Sequence, residues 1–141
     1  MKVLAEKEAV WQLIPQKFPF EMVDKLFSFD ETQVVAGLLV SEANIFTTDG
    51  TFRESGLIEH MAQTVALHTG YKFFLLKQAA PTGYIGSVSS LSISELPKTG
   101  DEIVTTVTII QEFGDITMVE ISSSVNGSEI AKGQMKTVLA K

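Results

Sequence analysis

The sequence predicts an α+β fold in which a mostly antiparallel, six-stranded sheet wraps around one long central helix. Residues 55–76 form the longest helical run and are largely apolar. Residues 84–140 form four strand-like runs rich in Val, Ile and Thr. Two further strand-like runs, 22–29 and 33–40, precede the helix. Strands joined by short hairpins are antiparallel neighbours, and a sheet that curls around an apolar helix buries it on most sides.

Length and composition narrow the possible functions. The chain has 141 residues, which predicts a single domain over 1–141. Hydrophobic residues make up 45% and charged residues 20%, which is typical of a globular protein. The net charge of -6 argues against binding to a nucleic-acid backbone, which needs a basic surface. The absence of cysteine excludes disulfides, thiolate catalysis and Cys-based metal sites.

The hydropathy pattern predicts a cytoplasmic protein that forms oligomers and has no membrane segment. The longest apolar stretch, near Val34–Val40, is far shorter than the ~20 residues that a membrane helix needs. The first ten residues carry acidic side chains where a signal peptide has its apolar run. A mean hydropathy of +0.20 is high for a small monomer and indicates apolar surface buried between subunits.

The secondary structure of the first third of the chain is predicted from its prolines and turn residues as well as from the spacing of its apolar residues. Residues 1–14 place apolar side chains at helical spacing and predict a helix. Pro15 and Pro19 then predict an extended turn before the first strand. Residues 30–32 are typical of a hairpin turn, and residues 44–53 form a loop without periodicity.

The long helix carries a wide apolar face with an acid at its margin. Ser55 is a typical N-cap. On a helical wheel, an arc of about 180° is filled by Leu57, Ile58, Met61, Ala62, Val65, Ala66 and Thr69. Glu59 lies at the edge of this arc, and Gln63 follows four residues later, within reach. Burial opposes the charge of such a carboxylate and the helix dipole favours it, so it suits general-base chemistry. The same position also suits a solvated first-turn acid.

The C-terminal half is predicted to be a run of hairpins. Its strands are expected over 84–95, 102–113, 116–125 and 129–140. Residues 97–101 predict the first turn and Gly114-Asp115 the second. Asn126-Gly127 is a strong signal for a two-residue hairpin.

Two motifs resemble a known enzyme family. Residues 56–63 spell GLIEHMAQ, and residues 14–25 spell IPQKFPFEMVDK. Together, in this order, they resemble the central-helix and N-terminal motifs of the hotdog-fold 3-hydroxyacyl-[acyl-carrier-protein] dehydratases. Residues 64–71 (TVALHTGY) are most similar to the branch associated with aryl-polyene and flexirubin-type pigments. The resemblance implies a hotdog fold over nearly the whole chain.

The resemblance also implies a reaction, a partner and a site. The reaction is loss of water from a 3-hydroxyacyl thioester on an acyl carrier protein, in a homodimer or higher oligomer with an acyl tunnel at the subunit interface. Glu59 would be the catalytic acid and base, and Gln63 the neighbour that holds it. The N–H groups of Gly56 and Leu57, at the helix start, are suitable donors to the thioester oxygen. No cofactor is implied.

The sequence departs from the family at the usual catalytic histidine. Ile45 stands at that position, fourteen residues before Glu59, and Gln16 stands where the N-terminal motif usually has histidine. Glu59 therefore either moves the proton alone, in a syn elimination, or is helped by a second group. The candidates for that group are Asn44, Asp49 and His60. Asp49-Gly50 is also typical of a turn.

The other polar and aromatic residues have structural interpretations. His60 lies roughly 100° from Glu59 on the wheel, which favours a packed or interface histidine. His68 lies within the apolar arc, which favours a hydrogen-bonded core or tunnel position. The two histidines lack the spacing of a metal site, so no metal is predicted. An aromatic group could line an acyl channel, but core packing is preferred for most of its members, which are Phe18, Phe20, Phe27, Phe29 and Phe46.

The sequence also fits two functions other than dehydration. The missing histidine favours a non-catalytic subunit that binds acyl chains, whereas Glu59 and Gln63 oppose it. Hydrolysis of an acyl thioester is the second alternative, because related hotdog proteins use a helix carboxylate to activate water. Docking of an acidic carrier needs a local basic patch. The candidates, which also suit ordinary surface positions, are Lys17, Arg53, Lys72 and Lys77.

Overall fold

The computed structural model describes residues 2–140, so Met1 and Lys141, at the ends of the predicted domain, lie outside it. Its elements are β1 (Ala5–Glu6), α1 (Glu8–Trp11), β2 (Lys25–Phe29), β3 (Gln33–Leu39), β4 (Thr47–Thr48), β5 (Thr51–Phe52), α2 (Glu54–Leu75), β6 (Gly83–Ile93), β7 (Glu102–Phe113), β8 (Ile116–Val125) and β9 (Ser128–Leu139). Seven strands form one antiparallel sheet in the order β1-β2-β3-β7-β8-β9-β6. β4 and β5 form a separate hairpin.

The predicted architecture is confirmed, with one strand more than expected at the edge of the sheet. The additional strand is β1, where Ala5 pairs with Leu26 of β2. The helix predicted over 1–14 is wrong for the described part of that range, because within residues 2–14 only Glu8–Trp11 is helical. Leu4 N–H donates to Leu26 O at 2.7 Å, so this part of the main chain finds its partners in the sheet.

The long helix α2 begins earlier than the sequence predicts. Its N-cap is Arg53 rather than Ser55, and the Arg53 carbonyl accepts the N–H of Leu57 at 3.1 Å. The helix continues through Gly70 to Leu75. A β-carbon at Gly70 would collide with the carbonyl oxygen of Leu13. Glycine therefore lets the α1–β2 loop (residues 12–24) lie directly against the helix.

The turn signals locate the β7–β8 and β8–β9 hairpins correctly, but the hairpin predicted at residues 97–101 is wrong. β6 pairs with β9 at the edge of the sheet, and β7 pairs with β3, so residues 97–101 join two strands that are not neighbours. Asn126 and Gly127 have φ angles of 52° and 80°, which is the left-handed backbone that a two-residue turn between β8 and β9 requires. Asp49 and Gly50 have φ angles of 51° and 78° and join β4 to β5. The loop expected over 44–53 therefore contains a short hairpin, and Asp49 is a turn residue.

The core lies between the concave face of the sheet and α2. Buried apolar side chains line both surfaces, among them Leu57 and Met61 of the helix and Val107 of β7. The helix is buried on more of its circumference than the predicted arc, since His60 and Gln63 are also fully buried. The α1–β2 loop covers that second side, which places its main chain beside the polar residues of α2.

Candidate active site

The pair predicted from the helical spacing is brought together. Glu59 lies in the second turn of α2 and is half-buried, whereas Gln63 one turn later is fully buried. Gln63 Nε2 donates a hydrogen bond to Glu59 Oε2 at 3.2 Å. An amide N–H directed at a carboxylate stabilises its charged form and restricts its rotation. One oxygen of Glu59 is thereby held in place.

Gln63 also joins α2 to the α1–β2 loop. Its Oε1 accepts the N–H of Met22 at 2.6 Å, and its Nε2 donates to the carbonyl of Phe20 at 2.8 Å. The two Nε2 hydrogens are therefore used on Phe20 and Glu59. Only one orientation of the amide satisfies all three contacts.

His60 is buried beside this loop and is neutral at neutral pH. Its Nδ1 lies 2.6 Å from the carbonyl oxygen of Met22, and its Nε2 lies 2.8 Å from Thr105 Oγ1. Burial lowers the pKa of His60 from 6.5 to about 4. Because a carbonyl can only accept, Nδ1 carries the hydrogen and Nε2 accepts the hydroxyl of Thr105. The packed histidine that the sequence predicts is confirmed.

Two hydroxyls from the sheet extend this contact. Ser123 Oγ on β8 lies 2.6 Å from Thr105 Oγ1 on β7, and both residues are fully buried. Since the Thr105 hydrogen is directed to His60, Ser123 is the donor. Sequence reasoning missed both residues. The available signal was a polar residue at an inward position of an apolar alternation, as where Thr105 stands between Ile103 and Val107.

A cavity of about 510 Å³ lies along α2, with Glu59 in its wall. The helix contributes small side chains to it, from Ala62, Val65, Ala66, Thr69 and Gly70. The opposite walls come from residues 12–16 of the α1–β2 loop and from residues 80–85, at the start of β6. A smaller cavity of about 70 Å³ shares four wall residues with it, among them Val65 and Thr69. The apolar face of α2 that the sequence predicts therefore lines this cavity as well as the core.

Gln16 lies in the wall of the same cavity. Its Oε1 is buried and has no hydrogen-bond donor among the described residues. Gln16, which stands where the N-terminal motif of the resembling family usually has histidine, therefore shares the wall of one cavity with Glu59.

Gly56 and Leu57 are buried but are not among the residues that line this cavity. A β-carbon at Gly56 would lie 2.5 Å from Phe46 Cβ and 2.8 Å from the ring of Phe52, so glycine is required for packing there. The N–H of Leu57 is used within the helix, on Arg53 O. The N–H of Gly56 belongs to the first helical turn, which lacks intrahelical acceptors.

His68 and Asn44, of which only Asn44 was a candidate for a second proton-transfer group, both have other partners. His68 Nε2 lies 2.9 Å from the carbonyl oxygen of Asp30, and its ring centroid lies 4.8 Å from that of Phe29. This hydrogen-bonded core position matches the prediction for His68. Asn44 Oδ1 accepts the N–H of Phe46 at 2.9 Å, and Ile45 is exposed.

The five phenylalanines examined from the sequence do not line the large cavity. Phe27 is buried in the core and Phe46 is packed against it, as the core interpretation predicts. Phe18 and Phe20 instead lie on the surface, with 87% and 57% of their area exposed. Core packing, which the sequence predicts for most of the five, does not extend to Phe18 and Phe20, and the α1–β2 loop carries an exposed aromatic pair.

Two of the four cations considered for carrier docking already have partners. Lys17 Nζ donates to the carbonyls of Trp11 and Ile14 at 2.7 and 3.0 Å. Arg53 forms an ion pair with Glu54 at 3.2 Å. These contacts favour the interpretation of both residues as ordinary surface cations.

Within residues 2–140, no group of three or more His, Asp or Glu side chains is arranged to hold a metal ion. Over the same residues, no helix combines the length and the apolarity that a membrane crossing requires.

The fold is shared with solved structures that are described as a dehydratase and as a hypothetical thioesterase. The chain is 17% identical to a structure described as the dehydratase heterocomplex ApeI:P from Xenorhabdus doucetiae, with a TM-score of 0.87 over 94% of this chain and 91% of that one. A hypothetical thioesterase from Streptococcus pneumoniae, described with coenzyme A, is 12% identical, with a TM-score of 0.64 over 82% and 84%. The sheet wrapped around one long helix, together with the similarity to these structures, shows that this chain has the hotdog fold.

Sequence similarity narrows the class to dehydratases. The chain is 25% identical to the 3-hydroxyacyl-[acyl-carrier-protein] dehydratase FabZ of Cereibacter sphaeroides, over 96% of this chain and 90% of the relative. The pattern of the ApeP-like family, described as ApeP dehydratase, matches residues 8–140. The chain therefore belongs to the ApeP-like family of hotdog-fold dehydratases, and the resemblance found in its two motifs is confirmed.

Proposed function

We propose that this protein catalyses the reversible dehydration of 3-hydroxyacyl thioesters, carried on an acyl carrier protein, to trans-2-enoyl thioesters. The observation that carries the proposal is the position of Glu59 in the wall of the 510 Å³ cavity, with Oε2 held by Gln63. A cavity of this volume is within the usual range for small-molecule sites. Membership of the ApeP-like family supports the reaction class.

Glu59 acts as both base and acid in this proposal. Because Gln63 occupies Oε2, the free oxygen Oε1 takes the proton from C2 of the acyl chain. The electron pair of that C–H bond forms the C2–C3 double bond as the C3–O bond breaks. Glu59 returns the same proton to the departing hydroxyl, which leaves as water. One group that serves both atoms acts from one face of the substrate, so the elimination is syn.

Glu59 acts without a histidine in this mechanism. Both histidines of the chain have ring nitrogens bound to other groups, His60 to Met22 and Thr105 and His68 to Asp30. Gly56 and Leu57 do not line the cavity, and the N–H of Leu57 is already used within the helix, so neither is assigned as the donor to the thioester oxygen in this mechanism. Gln63 contributes by holding the carboxylate.

The acyl chain is proposed to lie along α2. The cavity follows the helix from Glu59 to Thr69, a distance of ~15 Å at the helical rise per residue. Small side chains such as Ala62 and Ala66 leave room beside the helix axis for an extended chain. The smaller cavity is lined by helix residues between Val65 and Phe73, so it overlaps the large cavity and reaches further along α2.

We further propose that the protein forms a homodimer through β6. This strand lies at the edge of the sheet, and within residues 2–140 it pairs with β9 alone. Its first eight residues are all exposed, and they include Tyr84, Ile85 and Val88. A long exposed edge strand with apolar side chains favours pairing with another strand. A second copy that adds its own β6 would continue the sheet and cover these side chains.

Replacing Val88 by Asp is expected to convert the dimer to a monomer, because a buried, unpaired charge at the strand edge opposes pairing. Sedimentation velocity measures the change in mass. Ile110→Asp is the matched control, since Ile110 is an exposed apolar residue on β7, away from this edge. A Val88→Asp variant that sediments as the parent does would contradict the proposed interface.

The reaction itself is tested by mass spectrometry of a 3-hydroxyacyl carrier protein incubated with the enzyme. We expect the acyl chain to lose the mass of one water molecule. Release of the free acid would instead indicate a thioesterase, and an unchanged acyl carrier would indicate a non-catalytic acyl-binding subunit. Either of these two results would contradict the proposal.

A further inference from the structure

His60 is a buried, titratable residue beside Glu59 that the proposed mechanism leaves unused. We propose that His60 is a positioning residue, which fixes the Glu59 carboxylate by holding the main chain of Met22 against α2. The inference rests on the proposed function of Glu59, and it assigns His60 a role other than proton transfer.

The first step concerns the attachment of the α1–β2 loop. Met22 belongs to no helix or strand, yet both of its polar main-chain atoms are bound by side chains of α2. His60 Nδ1 donates to the carbonyl, and Gln63 Oε1 accepts the N–H, each at 2.6 Å. A buried main chain needs such partners, and here they come from two residues one turn apart on one helix.

The second step leads from the loop to the carboxylate. The contacts with Met22 and Phe20 determine which end of the Gln63 amide faces Glu59. With these contacts in place, an Nε2 hydrogen points at Glu59 Oε2. If the loop moved away, Gln63 would lose two of its three partners. The amide could then rotate and present its oxygen to the carboxylate, which repels it.

The third step leads from His60 back to the sheet. The hydroxyl of Ser123 donates to Thr105, and the hydroxyl of Thr105 donates to His60 Nε2. All three side chains are fully buried, so water does not compete for these bonds. Hydrogen bonds in such a series strengthen one another. The central strands β7 and β8 thereby hold the His60 ring in the orientation that the Met22 carbonyl needs.

Two isosteric threonine variants test this role. Thr105→Val removes the donor to His60 Nε2, whereas Thr64→Val removes another buried hydroxyl that bonds only the carbonyl of His60, at 2.8 Å. Thr105→Val is expected to lower kcat by roughly tenfold to a hundredfold, with KM changed less than about twofold. Thr64→Val is expected to leave kcat close to that of the parent. Thermal unfolding of both variants checks that they are folded.

A second measurement does not depend on turnover. Proton NMR follows solvent exchange of the Gln63 side-chain amide, which the contacts with Phe20 and Glu59 protect. We expect faster exchange in Thr105→Val and no change in Thr64→Val. Ser123→Ala, which removes only the outermost hydroxyl, is expected to act in the same direction and replaces Thr105→Val if that variant does not fold.

The outcomes separate this inference from the proposed function. Equal effects of Thr105→Val and Thr64→Val, or an unchanged Gln63 amide in Thr105→Val, would overturn the role of His60. A parent protein without dehydratase activity would overturn the proposed function, and the exchange measurement would still decide whether His60 positions Gln63.

Discussion

Glu59→Gln is expected to lower the rate of dehydration by roughly 10²–10⁴-fold, the usual contribution of a general acid–base group. The substituted amide has nearly the same shape and can still accept the hydrogen bond from Gln63, but it can neither take the C2 proton nor return it. Glu59 is half-buried and belongs to the cavity wall, so the fold does not depend on its charge. The measurement is the rate of enoyl thioester formation, followed by absorbance, beside a thermal unfolding curve.

The control for this variant is Glu54→Gln on the same helix. Glu54 is exposed and pairs with Arg53 at the helix start, so its substitution removes an equal charge away from the cavity. Turnover should be unchanged in Glu54→Gln. A Glu59→Gln variant that dehydrates its substrate at the parent rate would remove Glu59 from the mechanism. Binding of the enoyl product by Glu59→Gln should persist, which separates lost chemistry from a lost cavity.

Local signals were sufficient for the C-terminal hairpins. The predicted bounds of β7 and β8 match the structure, because each strand alternates consistently and ends at a tight turn. Asn126-Gly127 adopts the left-handed backbone that its residue types favour. The β7–β8 and β8–β9 hairpins each join strands that follow one another in the chain, so a short sequence window contains their turn signals. The pairing of β6 with β9 lies outside any such window.

Local signals failed where distant pairing decides the structure. Residues 1–14 have helical spacing, but Ala5–Glu6 pairs with β2, about twenty residues away along the chain. Arg53 rather than Ser55 caps α2, because the N–H of Arg53 is tied to Phe46 O and its carbonyl is already directed into the helix. Tertiary contacts override weak local preferences in both places.

The site was predictable in part. The four-residue spacing of Glu59 and Gln63 was enough to place them in contact, since helix geometry fixes that distance. The full burial of His60 could not be read from the helical wheel. His60 is buried because the α1–β2 loop covers a second side of α2. A loop has no periodic pattern in its sequence, so its packing against the helix could not be predicted.

Acidification is expected to destabilise the protein through His60. Burial lowers the pKa of His60 from 6.5 to about 4, so between these values the unfolded chain binds a proton that the folded protein does not. The folded protein has the full stability that the neutral His60 allows above pH 6.5, and this part of the unfolding free energy is lost as the pH falls towards 4. About two and a half pH units amount to about 3 kcal/mol of unfolding free energy. Urea unfolding over this pH range, at fixed protein concentration, measures it.

The comparison with His60→Gln isolates this contribution from that of the carboxylates. Glutamine can donate to Met22 O and accept from Thr105, as the ring does, but it does not titrate. Between pH 6.5 and about 4, the stability of His60→Gln should therefore fall less steeply than that of the parent. A hydrogen bond from Thr32 N–H lowers the pKa of the exposed Asp30, so its stabilising effect is lost at lower pH, outside this window. If the unfolding free energies of the parent and of His60→Gln fell in parallel with pH, His60 would bind its proton as readily in the folded protein as in the unfolded chain. The ring would then not be held neutral between Met22 and Thr105.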